Sequence, residues 1–171
     1  MLVFSKSHGT HTRVMNQFIA SLPVEARVAI EPDFDPVPLQ MGEVLHRVGG
    51  PVDYVYFPIS GLVSVVITMG SGQTAATSII GREGMVCSAI VLDVNRALDQ
   101  ATVELPGTAI RIHSRAFIAA YRKCEPLRRM LNRYHGLMLA EARQSVACNA
   151  LHDVQHRLVS LAGRGAGSYR Q

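Results

Sequence analysis

Near the start of the chain, apolar positions recur at helical spacing. Val14, Phe18 and Ile19 share one face, and PVEARVAI, opened by Pro23, predicts a second short helix. The period then changes. Between Phe34 and Ile112, short apolar runs alternate with turn residues: VPLQMGEVL, VGGPVDYVYFPISG, LVSVVITMGSGQ, TAATSIIG and ATVELPGTAIRI. Short strands punctuated by Gly, Pro, Asp and Ser predict a β-sandwich or barrel, with MGSGQ as a hairpin loop. After His113 the helical period returns. SRAFIAAYRKC opens on Ser114, a good N-cap, and stops before Pro126. Beyond Pro126 the chain has no proline and one glycine, Gly136, until Gly163. Within that stretch Leu137, Ala140, Gln144, Ala147, Leu151, Val154, Leu158 and Leu161 alternate three and four residues apart, a coiled-coil seam.

A helix of that length measures roughly 50 Å at 1.5 Å per residue, longer than a small barrel is wide. Its economical partner is the same helix of a second copy, which predicts a homodimer through Leu137, Ala140, Gln144, Ala147, Leu151, Val154 and Leu158. The competing reading is an amphipathic helix folded back on its own core. The expected organisation is mainly β with flanking helices (α+β): N-terminal helices over 1–31, a β-roll with a following short helix over 32–124, a long helix over 125–163 and a tail over 164–171.

With 48% apolar residues in 171, the chain can bury a sizeable core. No run approaches the ~18 apolar residues of a membrane helix, and the N-terminus lacks the apolar stretch of a signal peptide. Cys87, Cys124 and Cys148 are odd in number and widely spaced, which predicts reduced thiols in a cytoplasmic protein. The net charge of +4 is mild. Its basic stretches, Arg111–Arg133 and the tail with Arg164 and Arg170, suit nucleic acid and a solvated helix face equally well.

The candidate chemistry lies in GREGMVCSA, Gly81 to Ala89. Glycines let backbone amides approach an anion, and an arginine can fork onto its oxygens. The opposing reading makes Arg82 and Glu83 an exposed ion pair on a turn that opens a short helix over Gly84–Ile90.

LQMGEVLHRVGGPVDYVYFPISGLVSVV carries a glycine framework, Gly42, Gly49–Gly50 and Gly61, that resembles cyclic-nucleotide-binding domains. More narrowly, YVYFPISGLVSVV, IIGREGMV and ARQSVACNALHDVQHRL resemble a bacterial branch of the Crp/Fnr superfamily of transcription regulators, over about Val14 to Leu161. The resemblance implies a jelly-roll β-barrel followed by a dimerisation helix. It also implies a winged helix-turn-helix that would read DNA, for which the eight residues after Gly163 are too few. DNA is therefore expected as a partner only through a C-terminal domain missing from this chain, which implies a truncated or altered end.

In nucleotide-binding members of the superfamily, the phosphate cassette carries a Gly-Glu pair, then an arginine followed by Ser or Thr and Ala. Here Asp99-Gln100-Ala101 stands at the arginine's place, and Ser88-Ala89 lies near that of the Gly-Glu pair. A carboxylate facing a phosphate reverses a charge-assisted contact, so cyclic AMP is not expected to bind in the usual way. Candidate ligand-binding residues are Gly81, Arg82, Glu83, Gly84, Ser88, Arg96, Asp99 and Gln100, with Arg96 placed to pair with Asp99. The effector is an unnamed small molecule.

Other chemistry is weaker. A metal-dependent cupin needs a histidine cluster, and the strand region offers His46 and His113. His152 and His156 share a helix face without a third ligand nearby, and an iron–sulfur cluster needs more cysteines than this chain has near its N-terminus. No catalytic triad or carboxylate pair is legible from spacing, so no catalytic residue, metal or cofactor is assigned. The leading expectation is an effector-sensing and dimerisation domain of a Crp/Fnr-like regulator. The alternative is a stand-alone small-ligand module acting on a protein partner.

Overall fold

The computed structural model describes residues 15–70, 73–93 and 96–151. The chain divides into two compact units, one ending at Leu127 and the other opening at Arg128. The first is a jelly-roll of antiparallel strands with helices packed at its flank. Helix α1 spans Gln17–Ser21 and α2 Val24–Ile30, entered through Pro23. Strand β1 is Asp35–Leu39, β2 Val44–His46, β3 Tyr54–Thr68, β4 Thr74–Ile80 and β5 Gln100–His113. Helix α3, Ser114–Lys123, follows directly, and α4 runs over Glu125–Leu151. Val14, from the first predicted helix, lies outside the described residues.

The sheet order is β1-β5-β3-β4, with β2 also on β5. The hub is therefore β5: Asp35 to Leu39 pair with Arg111 to Gly107, Val44 pairs with Thr102, and Tyr54 pairs with His113. The two apolar runs expected as separate strands, on either side of Gly61, form one 15-residue strand. It bends instead of breaking, because its register on β5 shifts around Ser60 and Leu62. Gly61 makes this possible. Its φ is +83°, and a Cβ there would stand 2.6 Å from the Leu105 carbonyl oxygen. Strands β3 and β4 pair antiparallel, and Met69 N donates to Gln73 O at 2.8 Å where they end and begin, within the predicted MGSGQ loop, whose residues 71–72 lie outside the described residues.

Both faces of the start of β3 are covered, which explains its unbroken apolar sequence. On one face Tyr56 joins Leu39, Val63, Val65, Ile80, Val86, Ala101, Val103 and Ala109 in the interior of the roll. On the other, Phe57 stacks on Phe18 of α1 at 6.2 Å and meets Phe117 of α3 edge-on at 5.8 Å. Helix α3 starts as predicted at Ser114, but Ser114 is not its cap. His113 Nδ1 accepts from Arg115 N at 3.2 Å, and Ser114 Oγ donates to Val52 O at 2.6 Å. Serine is thereby free to pin the helix to the turn before β3. Among the described residues no helix is long and apolar enough to cross a membrane.

Candidate functional site

The loop Gly81–Gly84 follows β4 and is held from inside. Asn16, fully buried, donates from Nδ2 to Gly84 O at 2.8 Å and to Pro58 O at 2.9 Å, while its Oδ1 caps α1 by accepting from Ile19 N at 3.2 Å. Arg82 O accepts from Gln17 N at 2.7 Å. Glu83 folds back, and its Oε1 accepts from Gly81 N at 2.7 Å. The carboxylate thus occupies the place an incoming anion would take on that amide. A Cβ at Gly81 would lie 2.9 Å from Glu83 Oε2, so a larger residue there would make the Glu83 carboxylate shift. The Arg82–Glu83 ion pair expected on this turn gives way to a side-chain-to-backbone bond, which freezes no torsion of the arginine. The loop opens no helix over Gly84–Ile90 either. Val86 bridges to Tyr56, and one 3-10 turn, Ser88–Leu92, follows with Ser88 buried at its start.

A second cluster joins the segment 96–100 to the turn after β2. Arg96 donates to Gly49 O at 2.7 Å, so it does not pair with Asp99. Gly49 N donates to Ala97 O and Ala97 N to Gly50 O, which zips the two segments together. That zip points Asp99 the other way, onto His46: Oδ1 lies 2.7 Å from Nε2. The opposite ring nitrogen, Nδ1, lies 2.9 Å from Cys87 Sγ. Gln100 donates from Nε2 to Thr102 Oγ1 at 3.3 Å along β5.

Cys87, His46 and Asp99 therefore form one hydrogen-bonded series. Its carboxylate end is partly exposed, its imidazole is 4% exposed, and its thiol is half-buried against the interior cluster. Burial, and secondarily the Asp99 carboxylate, pushes the Cys87 thiol up from its ordinary range. Burial likewise raises Tyr56, against the opposing pull of the Arg111 guanidinium. Cys87 also sits in the left-handed region, φ +69°, which costs a non-glycine residue about 1 kcal/mol.

The eight predicted ligand-binding residues are thus tied to different parts of the fold. Gly81 to Gly84 form a loop held by Asn16 and Gln17, Ser88 is buried at the start of the 3-10 turn, Arg96 is tied to the turn after β2, Asp99 to His46 at the end of β2, and Gln100 to Thr102 along β5. His46, Cys87 and Asn16 did not stand out as site residues in the sequence. Their long-range partners lie between 41 and 68 positions away, and no local motif marks such pairs. Among the described residues no three His, Cys, Asp or Glu side chains converge to hold a metal. His46 explains part of this, because both its nitrogens already have partners on opposite edges of the ring.

In the second unit, the seam of α4 is open. Leu137 is 50% exposed, and Ala140, Gln144 and Ala147 are exposed as well. Leu151 stands in the last described turn, and Val154 and Leu158 lie outside the described residues, as do His152 and His156.

A family profile described as the cyclic nucleotide-binding domain matches residues 36–124, just over half of the chain. No curated protein matches. Among solved structures, the chain is similar to the c-di-GMP-responsive global regulator CLP of Xanthomonas campestris, at 12% identity and TM-score 0.69, covering 82% of this chain and 71% of that one. It is similar to the catabolite activator protein of Thermus thermophilus at 18% identity and TM-score 0.63, covering 78% of this chain and 62% of that one. It also resembles the sensor domain of the transcriptional regulator DNR from Pseudomonas aeruginosa, at 19% identity and TM-score 0.55, covering 80% and 89%. At these identities the likeness is one of fold.

Proposed function

The chain belongs to the cyclic nucleotide-binding domain family, and on that footing we propose that it is the effector-sensing and dimerisation part of a Crp/Fnr-like transcription regulator. The observation that carries this reading is the succession of a family-matched roll, 36–124, by helix α4 with a seam left open to solvent. The solved structures named above, a global regulator, a catabolite activator and a regulator's sensor domain, support the same class. In this reading two copies pair along α4, and occupancy of the roll shifts the balance between arrangements of that pair. DNA would be contacted by a separate domain of the whole regulator, and the proposed setting is the cytoplasm.

The roll is proposed not to hold cyclic AMP in the usual manner. Where the family resemblance places an arginine, Asp99 carries the opposite charge and is already bonded to His46. The Gly81 amide is likewise occupied by Glu83. A cyclic phosphate would have to displace one carboxylate and lie beside another. Thermal unfolding with and without ligand tests this. Millimolar cyclic AMP is expected to raise the midpoint no more than AMP does. A clear excess for the cyclic form would overturn the reading of Asp99.

A further inference from the structure

We propose that Cys87 is a covalent capture site for small soft electrophiles of the α,β-unsaturated carbonyl class, with His46 as the proton acceptor and Asp99 as the residue that orients it. This goes beyond the sensor reading and stands on the three side chains alone. With Asp99 ionised, His46 Nε2–H donates to Oδ1 across 2.7 Å, which leaves Nδ1 as the basic nitrogen. Nδ1 is the atom that faces the thiol, 2.9 Å from Sγ. A nucleophile, a base and a group that fixes the base's tautomer thus follow one another in working order. The arrangement does not suit a metal, because the three donors are strung through the imidazole and do not converge.

Three further observations point the same way. The thiol is half-buried against the apolar interior cluster of the roll, a surface that suits a carbon-rich ligand. Cys87 is held at φ +69°, where glycine would be unstrained, so a thiol at this position costs stability. Finally, burial keeps the resting thiol protonated. Cys87 is then inert in bulk and reacts only if its proton can leave as the bond forms. Other groups acting on this cluster are few. Tyr56 faces Cys87 and is itself influenced by Arg111 and Glu43.

The step is a conjugate addition. Cys87 Sγ bonds to the β-carbon while its proton passes to His46 Nδ1. The carbon–carbon π pair moves onto the carbonyl as an enolate, and the proton on His46 is returned to the α-carbon. Nothing leaves, and no oxidant or reductant is required.

The test is N-ethylmaleimide labelling of the full chain, quenched at intervals and resolved by peptide mass spectrometry, with Cys124 as internal reference. The rate at Cys87 is expected to depend less steeply on pH than that of an unassisted thiol, because a neighbouring base takes its proton as the bond forms. In Asp99→Asn that rate should fall roughly tenfold or more relative to Cys124, the scale of a lost general base. A merely structural Asp99 gives the opposite sign, because loosening the 96–100 segment would expose Cys87 and speed its labelling. His46→Gln should slow Cys87 equally, and Cys87→Ser removes the adduct. The proposal fails if Cys87 labelling climbs tenfold per pH unit through pH 9, as for an unassisted thiol. It also fails if Asp99→Asn leaves the rate unchanged or raises it, or if Cys124 is labelled while Cys87 is not.

Discussion

Asn16 ties three pieces of the chain together through one side chain. One carboxamide joins α1, the middle of β3 and the loop after β4. Replacing it with alanine removes a helix cap and strands two buried carbonyls. The expected cost is about 2–4 kcal/mol, read as a lowered denaturant midpoint at unchanged slope. Asn16→Asp keeps the cap oxygen but cannot donate to Pro58 O or Gly84 O, so it should lose most of the same stability. At this scale the sequence is least transparent. Glu83 looked like half of an ion pair with Arg82, and Asp99 looked like a partner for Arg96. In both cases the carboxylate found a better-placed donor, one the Gly81 amide and the other the His46 ring. Charge adjacency in sequence does not reveal which way a turn points a side chain. The charge reversal at Asp99, by contrast, needs no geometry to be noticed.

Elements were more legible, because periodicity follows from which faces are buried. The switch from helical to strand period near Phe34, and back near His113, matches β1 and α3 closely. The missed feature was the continuity of β3, since a glycine between two apolar runs looks the same whether it turns the chain or lets a strand bend past its neighbour. Phe57 tests the role of this strand, with aromatic rings on either side of it. Phe57→Ala should cost about 3–5 kcal/mol by emptying the space between Phe18 and Phe117, again read by denaturant titration. For α4, the exposed seam predicts concentration-dependent association. Sedimentation at tens of micromolar should give a dimer, and Leu137→Glu should shift it towards monomer without lowering the β-sheet signal. A wild-type monomer under those conditions would refute the seam.

For the molecule as a whole, the buried acids set the alkaline limit of stability. Cys87 and Tyr56 both lose protons less readily when folded. The unfolded chain therefore releases protons first as pH rises, beginning near ~8.5 for cysteine and ~10 for tyrosine. The stability these groups contribute is whole below that window and is lost above it, at up to about 1.4 kcal/mol per pH unit for each group. Cys87→Ser, which keeps a hydrogen-bonding side chain without a titrating thiol, should flatten the decline between pH ~8.5 and ~10. Chemical denaturation across that range measures the difference.

The placement of β5 also governs how this protein comes into being on the ribosome. Strands β1, β2 and β3 all pair with it, and it spans Gln100–His113. Until those residues emerge, the β3–β4 hairpin is the one strand pairing of the described sheet that can form, and Val55 and Phe57 lack the strand that later pairs beside them. A nascent chain that has not yet exposed Gln100–His113 should therefore present unpaired apolar strand edges, which the emergence of that strand covers. Substitutions that weaken β5 should accordingly reduce the yield of soluble protein more than they reduce the stability of what has folded.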